Sequence, residues 1–298
     1  MSRRSKNRQP LPLLEKVEII DAGAEGKAVA RVENRVVFIP FGVPGDIVDV
    51  QVTGRKKSFF EGRIVKFHVM SSSRVEPACV HFGLCGGCRW QNMDYDRQLH
   101  FKQKQVQDNF DRIGHFKYPE IRPILGSDNI YFYRNKLEYT FSNRKWFTGA
   151  RPEAGSNENT NGLGFHLPGM FDRILDIEKC HLQADPSNEI RQAAREYAFE
   201  NNLSFYDVKT WQGLMRNLVI RTTQAGEVMV IVVFHDKEDE VIRGFLSFLE
   251  RRFPEITSLL YVINGKHNDD ISDQEIRLFA GKPWLEEILK AFHPGDPP

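Results

Sequence analysis

Three of the four cysteines in this 298-residue sequence fall within ten positions, Cys79, Cys85 and Cys88, separated by five and then two residues. The fourth, Cys180, follows 92 residues after Cys88. Thiolates gathered so tightly read as ligands of a soft metal centre, and Cys180 would close a four-thiolate set. Gly83, Gly86 and Gly87 let the backbone turn sharply there and bring N–H groups near the sulfurs. Three chemistries compete. A disulfide framework belongs to short secreted chains and is disfavoured. Structural zinc accepts four thiolates but usually takes them from two paired Cys-x2-Cys knuckles, and only one such pair exists here. The spacing favours an iron–sulfur centre, and it departs from the three-then-two spacing of radical-SAM loops.

Composition excludes several classes. Hydrophobic residues make up 41% and charged residues 27%, as in ordinary globular proteins of two or three domains. The longest apolar run, Val228 to Phe234, is a buried strand and far too short for a membrane span. Residues 1–8 are basic without an apolar stretch behind them, so they do not read as a signal peptide. With only four cysteines, the expected setting is a reducing cytoplasm, away from any membrane, with the chain a monomer. Net charge is +1, but residues 1–68 hold 13 Lys/Arg against 8 Asp/Glu, whereas residues 231–298 hold 8 against 13. Such an imbalance reads either as ordinary solvated faces or as an N-terminal part that meets phosphates while the C-terminal part does not.

The elements that must position these groups follow from periodicity. Residues 1–10 read as a disordered basic tail. Between 11 and 70, Val17–Ile20, Ala28–Val32, Val36–Ile39, Asp46–Val52 and Phe60–Phe67 read as five short strands, with Glu33-Asn34 as a hairpin turn. No helix separates them, which predicts a small closed barrel of the OB type. Arg55, Lys56, Lys57 and Phe59 sit at a hairpin tip and combine charge with an aromatic face, the pairing that binds single-stranded RNA; the competing reading is a solvated turn whose two phenylalanines enter the barrel. The cysteine loop spans 71–93. A helix over 94–114 has Asp94 as N-cap and Leu99, Val106, Phe110 and Ile113 on one face. Residues 115–290 alternate strands and helices and predict an α+β central domain, with a tail at 291–298. Within it, Tyr131–Phe141 reads as a strand carrying Arg134 and Lys136 on one face, where both meet a phosphate backbone, or else form an ion pair under the sheet. Arg151–Gly162 reads as a surface insertion, and Arg216 as an RNA contact or a turn cap.

These motifs together resemble a family. Gly23-x-x-Gly26-x-x-Val29-Ala30, then Val37-Phe-Ile-Pro-Phe-Gly-x-x-Pro-Gly-Asp46, looks like a TRAM domain. A barrel running into Cys79-x5-Cys85-x2-Cys88-x-Trp90-Gln91 resembles the iron–sulfur-containing 23S rRNA uracil-5-methyltransferases (RumA-like). Tyr133-Arg-Asn-Lys136 and the Gly164-Phe-His … Ile177-x-x-Cys180-x-Leu182 block match that family too. The resemblance implies that Cys79, Cys85, Cys88 and Cys180 hold a [4Fe–4S] cluster. It further implies that ribosomal RNA is the partner, that S-adenosylmethionine is the methyl donor of the complete enzyme, and that the 94–114 helix packs on the catalytic domain. His166 and His181 are then structural, since four thiolates leave no vacancy.

Uracil-C5 methylation also needs a thiol to add at C6, a carboxylate base and a cofactor fold. All four cysteines are already assigned, and no Gly-rich turn after a strand fits the cofactor. The expectation is the RNA-binding and iron–sulfur portion of such an enzyme, truncated before its catalytic domain and inactive alone. Two other readings remain, an RNA-binding adaptor with a four-cysteine zinc site and a redox switch that releases RNA.

Overall fold

The computed structural model describes residues 11–147 and 159–288. The basic tail at 1–10, the tail at 291–298 and most of the insertion at 151–162 lie outside them. The chain divides into two units: residues up to Gly83 with Gly87–Asp128, and Leu84–Gly86 with residues from Asn129 onward.

The first unit is built on a closed barrel. Its strands are β1 (Leu13–Ala22), β2 (Lys27–Val32), β3 (Arg35–Pro40), β4 (Ile47–Arg55) and β5 (Phe59–Val69), in the order β1-β2-β3-β5-β4. Alternation supplies the core: Val48, Val50 and Val52 point inward from β4, against Ala28, Ala30, Val37, Ile39 and Phe60. Glu33 and Asn34 have φ of 47° and 63°, the left-handed pair that a tight hairpin of this hand requires. Gly62 is needed for a close approach, because a Cβ there would stand 2.4 Å from Val50 Cγ1. The five-stranded barrel expected from the sequence is present.

A buried carboxylate ties the barrel to the segment after β5. Asp46 is fully buried and accepts from the Val43 N–H at 2.7 Å, the Ser71 N–H at 2.9 Å, and Arg74 through Nε at 2.9 Å and Nη2 at 2.7 Å. Arg74 Nη2 and Asn92 Nδ2 also both donate to the Phe41 carbonyl. The acid ending the Pro-Gly-Asp turn is thus the anchor of the chain leaving the barrel.

Helix α1 (Tyr95–Asn109) starts as expected, with the Asp94 carboxylate accepting from the Arg97 N–H at 2.9 Å. Its apolar face differs from expectation. Phe101 is the buried residue, packed with Ala22, Val43 and Met93, while Val106 and Ile113 are exposed. The helix ends in a π-turn at Phe110–Gly114, where Phe110 meets Phe116 and Tyr118 instead of the core.

The second unit is a seven-stranded sheet flanked by helices. Its strands are β6 (Lys136–Ser142), β7 (Gly162–Leu167), β8 (Met170–Asp176), β9 (Met215–Thr222), β10 (Val228–Phe234), β11 (Ile256–Ile263) and β12 (Ile276–Gly281). They lie in the order β12-β11-β10-β9-β6-β7-β8. Only β10 and β11 pair in parallel, joined through α3 (Asp239–Arg252), the crossover such a pair needs. Helix α3 buries Ile242, Phe245, Leu246 and Leu249, and α2 (Ser187–Glu200) stacks Tyr197 on Phe248 at 4.5 Å. The opposite sheet face carries Val219, Ile231, Val233, Leu260 and Val262, with Ile271 packed over them. The α+β class stands.

One strand begins later than its pattern implied. Residues 131–135 are irregular, and the strand starts at Lys136. Phe132 has φ of 56°, and the Phe132 and Arg134 N–H groups donate to the His181 and Leu182 carbonyls instead of joining the sheet. Edge strand β12 was not anticipated, because its mixed exposure leaves no clear alternation.

Candidate nucleic-acid interface and cysteine sites

The β4–β5 tip separates its two phenylalanines. The Lys56 N–H donates to the Phe59 carbonyl at 2.9 Å, closing the turn and leaving Arg55, Lys56 and Lys57 exposed. Phe60 turns inward to the barrel core, with Arg35 and Arg55 over its ring at 5.1 and 5.9 Å. Phe59 stays half-buried on the outer wall, edge-on to Phe38 at 5.3 Å. The reading in which both rings enter the barrel therefore holds for Phe60 alone. Sequence reasoning missed Phe38 and Arg35 as neighbours of the tip. The signal was available in Val37-Phe38-Ile39, where alternation sends Phe38 outward.

The other expected contacts divide. Arg134 is exposed, as is Tyr133 beside it, but Arg134 precedes the strand, and its Nε donates to the Lys136 carbonyl at 3.1 Å. Arg134 and Lys136 are therefore not an i, i+2 pair on one strand face. Lys136 instead faces Glu138 at 3.7 Å, in the open and not under the sheet. Arg216 requires a plain correction. It is 1% exposed, so no RNA backbone reaches it. Its guanidinium donates to the carbonyls of Asn264, Lys266 and Asn268 and to Asp269, and lies 4.3 Å from the Tyr206 ring centroid. It holds the segment between β11 and β12 in place.

Cys79, Cys85 and Cys88 are half-buried and Cys180 is buried. The Cys79 N–H donates to Gln91 Oε1 at 3.2 Å, and Gly83 and Gly86 take φ of 88° and 76°, as the turning loop demands. Asn188 of α2 clamps Cys180 through both backbone groups, accepting from its N–H at 2.8 Å and donating to its carbonyl at 3.1 Å. One turn on, the fully buried Arg191 donates to the Glu178 carbonyl at 2.7 Å. Burial pushes the Arg191 pKa down, and the nearby Tyr139, Asp176 and, least of the three, Cys180 charges act in the opposite direction.

Among the described residues, no group of three or more His, Cys, Asp or Glu side chains stands together as a metal site. Two observations nonetheless fit such a centre. The donor set is all sulfur, which suits iron–sulfur or zinc. Among the described residues, the Arg191 Nε and Nη1 are buried without a hydrogen-bond partner, and the charges of Asp176 and Cys180 both act on the guanidinium. An unsatisfied buried guanidinium calls for nearby negative charge. His181 packs against Tyr131 and Phe132. Asp207 is held low, at about 2: burial raises its pKa, but hydrogen bonds from Arg144, the Lys209 N–H and Asn143 outweigh that.

Residues 15–65 match the model of the TRAM domain and correspond to the barrel. Across 271 residues the chain is 50% identical to a Bacteroides thetaiotaomicron protein described as an uncharacterized RNA methyltransferase, covering 90% of this chain and 60% of that one. A Porphyromonas gingivalis protein of the same description is 47% identical over 280 residues, covering 92% and 60%. The chain thus spans about 60% of the length of these curated relatives. Among solved structures, a Pyrococcus abyssi tRNA (uracil-54, C5)-methyltransferase in complex with S-adenosyl-L-homocysteine shares the fold. Its TM-score is 0.62 at 24% identity, over 92% of this chain and 57% of that one. No described helix is long and apolar enough to cross a membrane.

Proposed function

We propose that these residues form the RNA-binding and iron–sulfur portion of an S-adenosylmethionine-dependent RNA uracil-C5 methyltransferase acting on ribosomal RNA. The observation that carries the RNA reading is the basic and aromatic tip on the TRAM barrel, with Arg55, Lys56 and Lys57 exposed beside the half-buried Phe59. Lysine and arginine there meet phosphates, and the Phe59–Phe38 pair offers a face to a base. Arg134, exposed with Tyr133, is a second contact point.

Cys79, Cys85, Cys88 and Cys180 supply the four thiolates of a [4Fe–4S] cluster, whose contribution when bound is a rigid cross-link. Asn188 and Arg191 position Cys180 for it, the former by clamping its backbone and the latter by opposing thiolate charge. With all four cysteines so used, none is left to add to uracil C6. We therefore assign these residues the holding of RNA, with S-adenosylmethionine supplying the methyl group in the complete enzyme. We place the protein in the cytoplasm as a monomer, where thiolates stay reduced.

The solved relative's name favours a second substrate, transfer RNA. Titrating the chain with single-stranded ribosomal RNA fragments and with transfer RNA across a salt series tests both. Single-strand binding loses roughly 0.7 of logarithmic salt slope per phosphate contact removed. The double variant Lys56→Ala/Lys57→Ala is expected to flatten the slope by about 1.4. An unchanged slope removes the tip from the interface, and tighter binding of transfer RNA selects the second substrate.

A further inference from the structure

Several cations of the first unit are spent on carboxylates. Lys27 faces Glu25 at 2.9 Å, Arg74 meets Asp46 at 2.7 Å, and Lys104 bridges Asp21 and Asp108, each at 2.7 Å. Arg31 of β2 is not so used. It is exposed and forms no ion pair among the described residues. The same holds for Arg55, Lys56 and Lys57 at the β4–β5 tip. A cation left in water without a partner is free to meet a phosphate.

The sheet register puts Arg31 on the same wall as the tip. Strands β2 and β3 pair Arg31 with Val36, and β3 and β5 pair Val36 with Phe59. Their neighbours Ala30, Val37 and Phe60 enter the core, so alternation sends Arg31, Val36 and Phe59 outward in one row. Strands about 4.8 Å apart place the Arg31 backbone roughly 10 Å from that of Phe59. The adjacent row holds Val29, Phe38 and Glu61. An apolar and aromatic strip of Val29, Val36, Phe38 and Phe59, each half-buried, thus lies between Arg31 and the tip. Two carboxylates adjoin it, Glu33 in the β2–β3 turn and Glu61. The β1 side of the barrel differs: exposed Glu15 and Glu18 flank its Lys16. Free cations at both ends of an apolar strip suit a single strand, whose phosphates take the ends while its bases lie on the middle.

We propose that single-stranded RNA does not stop at the tip but continues across the β2–β3–β5 wall, with Arg31 as its far phosphate contact. The wall path rests on the RNA-binding reading above, and the test separates the two. The full chain is titrated across a salt series with a mixed-sequence oligoribonucleotide of about 16 nucleotides, the upper footprint of one such barrel. Arg31→Gln removes a charge at an exposed strand position and leaves the fold intact. It is expected to flatten the logarithmic salt slope by about 0.7, one phosphate contact. Combined with Lys56→Ala/Lys57→Ala, the flattening should reach about 2.1. Lys16→Gln, on β1 of the same barrel, should keep the wild-type slope. A wild-type slope in Arg31→Gln, with a flattened one in Lys56→Ala/Lys57→Ala, ends the strand at the tip and overturns the wall path while RNA binding stands. Equal flattening by Lys16→Gln also overturns it, because the effect would then be one of total charge and not of contact. No RNA binding by the wild-type chain overturns both.

Discussion

Arg216→Ala is expected to destabilise the second unit by about 3–5 kcal/mol, the range for breaking a buried charged network by removing one member. Three carbonyls, those of Asn264, Lys266 and Asn268, lose their donor at once, and Asp269 loses its partner. The void beneath Tyr206 adds a cavity cost. Arg216→Lys is expected to recover little, because an ammonium cannot span several carbonyls in the plane that a guanidinium fork covers. At roughly 2–4 °C per kcal/mol for a unit of this size, the thermal transition should fall by about 10 °C. Faster proteolysis within residues 264–275 should accompany the drop. A variant that melts like wild type would mean that the Arg216 contacts are not what holds that segment.

Asp46→Ala is expected to cost the barrel unit a comparable amount, again about 3–5 kcal/mol. Arg74 is left with its charge half-enclosed, and the Val43 and Ser71 N–H groups lose their acceptor. Asp46→Asn retains one acceptor oxygen but sets an amide N–H₂ against donors, so it should fall between wild type and alanine. A double-mutant cycle with Arg74→Ala in urea unfolding should return a coupling of about 1–3 kcal/mol. Additive losses would show that Asp46 acts through the two N–H groups alone.

These two residues also show what the sequence makes legible. The barrel was readable because inward valines alternate with polar residues and because Glu33-Asn34 permits left-handed backbone. Asp94 was readable as a cap from its place before the helix. Buried ionic residues were not. Arg216 looks in sequence like any exposed arginine before a strand, and only the fold shows the carbonyls that converge on it. The late start of β6 escaped because Tyr131–Asn135 has strand composition, yet its N–H groups pair with residues 181 and 182. The α1 face misled for a related reason. Leu99, Val106 and Ile113 share a stripe, but the pocket formed by Ala22, Val43 and Met93 takes Phe101. Local pattern gives elements and their polarity, whereas long-range contacts decide which charged or apolar side chain is enclosed.

The cysteine set shows the same division. Four sulfurs and their glycine-rich loop are plain in the sequence, while Asn188, which holds the Cys180 backbone, lies on a helix that gives no sign of it. The most direct measurement is anaerobic purification of the chain, followed by a visible absorbance spectrum and iron, acid-labile sulfide and zinc analysis, for wild type and Cys180→Ser. About four irons and four sulfides per chain with a broad visible band, lost or weakened in Cys180→Ser, is the predicted result. Zinc without sulfide, or no metal in either protein, would contradict it.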